Sequence, residues 1–443
     1  MNRKQALAVG AGSVAAAGAL LRRRHPRIPS DPLDPDAIQA EAAAALTAGL
    51  VAQPTVQRAD LAQTFAPATA TAVEPLLHGR RYFPRMLEDV AAAKDHIHLL
   101  IYGYKVGEIG ETFFEALAQK VRDGVEVRLS VDAIGSEVDF GSKDLYRRLV
   151  EAGIHVVAND GVFIFRGGAV GERRFSSHAE DLLHFDHRKM AVFDGRVAYV
   201  GGSGIEDHYN DERFYDVMCR VEGPVVAQLQ AVFLLSWRNN GGAAPEDPSL
   251  ARYFPPDVLQ VPAEAPMQVP ATILWNVPGT GHHPISDAIE RALEDAADRI
   301  HIVNPYISNR AILDRILAAA LRGVKVQLIA PGKPTPPYPA AAFRHWYGRL
   351  MDAGVEILLH PEMAHAKVLR IDDDVFIGGC NLDDLSLFRN DELDIRLSGA
   401  DVAELTEHSI FDELVAMSVP ATVSTSPGTK AWNATMDRVS RLL

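Results

Sequence analysis

A histidine and a lysine one residue apart occur twice, as His187 with Lys189 and as His365 with Lys367. Each pair is followed by a short, mostly apolar run and an aspartate, Asp194 in the first copy and Asp372 in the second. A second apolar run then ends in Gly201-Gly202-Ser203-Gly204 or Gly378-Gly379-Cys380-Asn381. An imidazole titrates near neutrality and can serve as nucleophile or proton carrier, while an ammonium offsets negative charge developing in a transition state. One His-x-Lys alone is most often structural. The repetition of the whole pattern marks these residues as chemistry.

Period-two alternation puts the histidine and lysine of each pair on one face of a strand. Asp194-Gly195 is a hairpin signal that folds residues 197–200 back onto that strand. Upstream, residues 79–94, 111–122 and 145–152 read as helices, and 96–102, 125–131 and 154–158 as strands. The second half repeats this: 93–99 matches 296–302, 124–129 matches 323–328, and 149–154 matches 350–355, at offsets of 203, 199 and 201. Such alternation predicts an α/β fold of two half-domains, each a mixed, mostly parallel sheet flanked by helices. For both pairs to meet at one centre, the halves must pack about a pseudo-twofold axis with the active site between them.

The histidines themselves are only 365 − 187 = 178 residues apart. About 201 − 178 = 23 extra residues therefore lie in the first half, between Ile154 and His187. This stretch holds aromatic, glycine-rich and basic segments at 161–168 and 173–175, which read either as a lid or lipid-contacting loop or as a surface excursion. The implied division is 73–243 and 271–416 for the half-domains, with linkers at 25–72 and 244–270 and a tail at 417–443. In the tail, Trp432, Met436, Val439 and Leu443 fall at helical spacing, a stripe for core or for a membrane foot.

The doubled pattern resembles the phospholipase D superfamily, whose signature is His-x-Lys, four residues, Asp, six residues, Gly-Gly or Gly-Ser, then Asn. Within it the likeness is to bacterial cardiolipin synthases of the phospholipase D type. It spans about residues 73–416 and is carried by Asp186-His187-Arg188-Lys189, by residues 221–226 with Leu229, Gln230, Phe233 and Trp237, and by Asn381-Leu382-Asp383 with Ser386 and Glu392. The resemblance implies a phosphatidyltransferase joining two phosphatidylglycerols into cardiolipin and glycerol through a covalent phosphohistidine. It implies His187 as nucleophile and His365 as general acid and base, Lys189 and Lys367 on the phosphoryl oxygens, and Ser203 and Asn381 against substrate. Asp216 and Glu392 are the implied carboxylates that orient the histidines, with Glu212 an alternative to Asp216; Asp194 and Asp372 belong to the motif and are expected to fix its hairpins. Two departures stand out. Gly204 replaces the first motif's Asn, and only five residues separate Asp372 from Gly378.

Two imidazoles and two ammoniums can cleave and transfer a phosphodiester with no cofactor and no metal. Metal readings of His184, Asp186 and His187, or of His360 with His365, lack a full ligand set, and the neighbouring lysines would repel a cation. A hydrolytic or headgroup-exchanging phospholipase D would use the same residues with another acceptor. A nuclease is disfavoured by a net charge of −14, from 44 Lys plus Arg against 58 Asp plus Glu. A non-catalytic lipid-binding relative is expected to have lost one His-x-Lys, and both are present here. Expected partners are a phospholipid and a membrane surface, with no nucleic acid and no obligate protein. Membrane association is expected through residues 1–24, where an uncharged run at 6–21 lies between Arg3-Lys4 and Arg22-Arg23-Arg24, as in a signal sequence or short anchor. The only cysteines, Cys219 and Cys380, read as small buried residues rather than a disulfide.

Overall fold

The structure, a computed structural model, describes residues 65–138, 141–159, 184–243 and 249–440. The expected signal or anchor at 1–24, most of the 25–72 linker and the segments at 161–168 and 173–175 lie outside the described residues.

Strands of the first half are β1 (Ala68–Ala70), β2 (Ala72–Leu77), β3 (His96–Ile101), β4 (Glu126–Asp132), β5 (His155–Asn159), β6 (Lys189–Phe193), β7 (Val197–Gly201), β8 (Phe214–Tyr215) and β9 (Val217–Glu222). The second half contributes β10 (Val269–Asn276), β11 (Arg299–Val303), β12 (Lys325–Pro331), β13 (Glu356–His360), β14 (Met363–Ala364), β15 (Val368–Ile371), β16 (Asp374–Gly378), β17 (Glu392–Ser398) and β18 (Val419–Pro420). One sheet has the order β2-β9-β7-β6-β3-β4-β5, and the other repeats it as β10-β17-β16-β15-β11-β12-β13 with β1 and β18 at its ends. The expected mixed sheets flanked by helices are therefore present, but the expected parallel majority is not. Within these two sheets, among the described residues, parallel pairing is confined to β3-β4-β5 and β11-β12-β13; the short β8-β14 pair between the halves is also parallel. There a helix joins each strand to its neighbour, whereas the His-x-Lys strands return through hairpins, which pair antiparallel.

The missing residue in the second motif is absorbed by its turn. Met190, which follows Lys189, faces Val200, which precedes Gly201; likewise Val368, which follows Lys367, faces Ile377, which precedes Gly378. Lysine and Gly-Gly keep one register in both halves. The helix expected from residue 111 begins earlier, at Glu108–Arg122. Its first amides, Glu108 N and Ile109 N, donate to the carboxylate of Asp207 at 3.1 and 2.9 Å, a cap too distant in sequence to be read from local pattern.

The halves share a core. The helix Val225–Asn239 is buried nearly all round, and its side chains join those of β7, β9, β10, β16 and β17 in one apolar cluster, with a separate cluster on the outer side of each sheet. Residues read as linker also belong to this body. β1 leaves β2 and pairs instead with β10 in the opposite sheet, Ala68 and Ala70 being buried, because a run of small residues suits an edge beneath that helix. Within the expected 244–270 linker, Leu250 and Tyr253 are buried and the Tyr253 hydroxyl donates to Glu126 at 2.7 Å.

In the tail, β18 pairs with β13 and a helix spans Pro427–Ser440. Its buried positions are Asn433 and Asp437, with Trp346 Nε1 donating to Asp437 Oδ1 at 2.9 Å, while Trp432 is 55% exposed. Of the expected stripe, Trp432 therefore faces away from the docking side while Met436 and Val439 are half-buried, and Leu443 lies outside the described residues.

Candidate active site

The segments leading into the two lysines cross the junction between the halves. His187 N donates to Asp391 O and Asp391 N to Phe185 O, both at 3.0 Å. In the counterpart, β14 pairs with β8, and His365 N and Ala366 N donate to Tyr215 O at 2.7 and 2.9 Å. This backbone exchange sets a fully buried carboxylate from the opposite half against each imidazole. His187 Nδ1 lies 2.8 Å from Glu392 Oε1, and His365 Nδ1 lies 2.6 Å from Asp216 Oδ2. With Nδ1–H donating to the carboxylate, Nε2 of His187 keeps its lone pair for chemistry, while Lys367 Nζ lies 3.0 Å from Nε2 of His365.

Lys189 and Lys367 are both buried, and each ammonium donates to the carbonyl of its own histidine, at 2.5 and 2.6 Å. Lys367 Nζ also lies 2.7 Å from His365 Nδ1 and 3.8 Å from Asp216. Burial, then the lysine charges, hold His187 well below its usual range and push His365 down to about 3. The charge of Lys367 acts on His187 and that of Lys189 on His365, so the two sets form one site. Burial lowers Lys189 to about 7 and raises Glu392 to about 8, whereas Asp216 is lowered because Lys367 and His365 outweigh its burial. Because Lys189 loses its charge as pH rises through about 7, kcat/KM for an anionic substrate should fall about tenfold per pH unit above that point. A bound phosphate favours the ammonium, so the limb in kcat should lie at higher pH; coincident limbs in both profiles would refute this assignment.

The Gly-Gly pairs give these carboxylates room. A Cβ on Gly202 would stand 2.4 Å from Asp216 Oδ1, and one on Gly379 would stand 3.0 Å from Glu392 Oε2 and 3.2 Å from His187 O. The tightest case is Gly378, where a Cβ would meet Asp394 Oδ1 at 1.8 Å. Since Asp394 is buried, Gly378→Ala should cost about 3 kcal/mol by overpacking, read as a lowered thermal midpoint. Gly379→Ala, with a smaller conflict, should melt closer to the parent.

Asp194 and Asp372 lie at the hairpin turns, as expected, with their carboxylates bonded to backbone amides. Asp194 accepts from Lys94 N, Asp95 N and His96 N at 2.8 to 2.9 Å, and Asp372 from Ala297 N, Asp298 N and Arg299 N at the same distances. Each ties its turn to the loop before the first parallel strand of its half. Glu212 is exposed and pairs with Arg80, which leaves the histidine to Asp216. Ser203 is buried, accepting from Tyr82 at 2.8 Å and donating to Gly204 O, so its hydroxyl is already engaged. Asn381 donates to Ser386 at 3.2 Å while its Oδ1 is buried with no protein donor among the described residues. The three groups of the metal alternative have separate partners: His184 pairs with Asp391, Asp186 with Arg188, and His187 with Glu392. Cys219 and Cys380 are free and buried.

A family model described as "Cardiolipin synthase, PLD-like domain" matches residues 86–237 and 289–414, more than half of the chain. The protein belongs to this phospholipase D-like family. The major cardiolipin synthase of Bacillus subtilis is 30% identical over 380 residues, 84% of this chain and 74% of that one. A cardiolipin synthase of Listeria innocua is 28% identical over 384 residues, with the same shares. Among solved structures, phosphatidylserine synthase of Haemophilus influenzae superposes with a TM-score of 0.61 at 14% identity, covering 87% of this chain and 98% of that one; the likeness is one of fold.

Against the family's pattern, Gly204 has a steric reason. A Cβ there would stand 2.5 Å from Gly103 O and 2.9 Å from Glu206 Oε1. Sequence reasoning missed several residues of this phospholipase D-like site. Tyr102 packs edge-on against His187 at 4.8 Å and faces the Lys189 ammonium at 4.7 Å. Tyr209 and Phe214 flank His365, both at 5.8 Å. Buried Arg188 grips Asp186 through two 2.7 Å hydrogen bonds and fixes the strand entry. The position of Tyr102 at the end of β3, beside the motif strand, was the available signal.

Proposed function

We propose that the protein is a cardiolipin synthase that takes the phosphatidyl group of one phosphatidylglycerol and passes it to the terminal hydroxyl of another at a membrane surface. The observation that carries this is the pair of buried His-carboxylate couples, each built from both halves, closing on two buried ammonium groups. His187 Nε2 attacks phosphorus, the N–P bond forms, and the P–O bond to glycerol breaks. Once the anionic diester is seated, its charge offsets that of the lysines and lets His365 carry a proton, which it gives to the leaving oxygen. The second lipid's hydroxyl then returns a proton to His365 and attacks phosphorus, freeing His187. Lys189 and Lys367 neutralise the phosphoryl oxygens, and Glu392, ionised as His187 becomes cationic on attack, balances the charge that His187 acquires.

No helix of the described residues is long and apolar enough to cross a membrane. Membrane attachment in this reading rests on residues 1–24. The test is mass spectrometry of products after incubation with phosphatidylglycerol vesicles. Cardiolipin and free glycerol in equal amounts are expected. Phosphatidic acid in their place would make the protein a hydrolase built on the same residues.

A further inference from the structure

The two halves of the site are not alike where Gly204 replaces asparagine. The short parallel bridges between Tyr104 and Ile205 and between Ile307 and Leu382 are counterparts, which aligns Gly103 with Tyr306, Gly204 with Asn381, and Glu206 with Asp383. In the second half Asp383 turns away to cap a helix, accepting from Ser386 N at 2.8 Å. In the first half the two glycines leave a slot, and the Glu206 carboxylate fills it. A Cβ on Gly103 would stand 2.3 Å from Glu206 Oε1. Oε2 pairs with Lys105 at 3.1 Å, and the side chain is 11% exposed. Among the described residues none donates a hydrogen bond to Oε1.

This carboxylate takes the place of the motif's missing side chain: a Cβ on Gly204 would stand 2.9 Å from Oε1, and Gly103, which it also meets, adjoins Tyr102, whose ring lies 4.8 Å from that of His187. A fixed negative group next to a phosphate site is out of place unless it meets hydrogen-bond donors. Lys105, which also pairs with Glu137 at 3.1 Å, offsets part of its charge.

We propose that Glu206 is the hydroxyl-recognition element of the site, accepting hydrogen bonds from the glycerol headgroup as it leaves and again as the second headgroup attacks. The inference rests on the phosphatidyl-transfer reading and names the feature that favours a polyol over water or a simple alcohol. A carboxylate can accept from two neighbouring hydroxyls at once, and a group built to pair them discriminates against an analogue that lacks one. Leaving and entering glycerol then share one subsite, on the His365 side of phosphorus, where the proton is exchanged.

The experiment offers deuterated glycerol and ethanol at equal concentration to the full chain on phosphatidylglycerol vesicles, and reads labelled phosphatidylglycerol against phosphatidylethanol. The parent should prefer glycerol. Glu206→Ala should cut that preference about tenfold, the worth of one charge-assisted hydrogen bond, and Glu206→Gln, which keeps an acceptor oxygen and the shape, should cut it less. Lys105→Met breaks the ion pair but leaves the carboxylate, so it should keep the preference. No preference in the parent, an unchanged ratio in Glu206→Ala, or an equal loss in Lys105→Met overturns the proposal. Cardiolipin is scored in the same samples: a parent that prefers glycerol yet makes no cardiolipin sinks the synthase reading and leaves the subsite standing.

Discussion

His187→Ala stops turnover of phosphatidylglycerol, with a loss of about four to six orders of magnitude in kcat, the scale on which removing a nucleophile or its base acts. Its Nε2 has no substitute in the site. Lys189 and Lys367 are both held by carbonyl oxygens, and His365 is tied to Asp216 on the far side. The variant should also take up no label when a phosphatidylglycerol with a fluorescent acyl chain is quenched in denaturant. His365→Ala should differ in kind, forming the labelled protein slowly and holding the label because no group remains to activate the second hydroxyl. Label on His187→Ala and none on His365→Ala would reverse the two roles.

The carboxylates should separate the same two steps. Glu392→Gln and Asp216→Asn each remove the charge that orients one imidazole and balances its cationic form, a change worth up to about 10⁴ in rate where such a pair has been dissected. Glu392 serves the histidine that attacks, so its variant should be slow to form the covalent intermediate. Asp216 serves the histidine that moves protons, so its variant should accumulate that intermediate before releasing product. Rapid-quench measurement of label against time distinguishes them. Identical time courses would mean that the carboxylates act through folding alone.

Much of this site was legible because its chemistry is written twice. Two His-x-Lys pairs, two hairpins and matching helices and strands require a duplicated fold, and the family resemblance implied Asp216 and Glu392, with Glu212 left as an alternative to the first. What was not legible is set by contacts between distant residues. The parallel majority failed because pairing direction depends on which strands a hairpin joins, and alternation of helix and strand overstates parallel order. β1 escaped notice because Ala68-Thr69-Ala70 has no strong strand pattern and gains its place only from β10. Ser203 sits where the motif predicts, yet Tyr82, 121 residues away, already occupies its hydroxyl. Glu206 could not be found from the sequence at all, since its importance comes from the space that Gly103 and Gly204 leave open.

The crossing of carboxylates between halves has a consequence for descent. Each repeat carries a histidine it cannot orient and an acid that orients the other repeat's histidine. A single ancestral copy could have worked only by meeting its twin, each lending its acid to the other. After fusion the loan became permanent. A substitution that ruins the acid of one repeat is thereafter a lesion in the chemistry of the other, and the two repeats can drift in their surfaces and mouths, as Gly204 and Asn381 have, but not in what they owe each other.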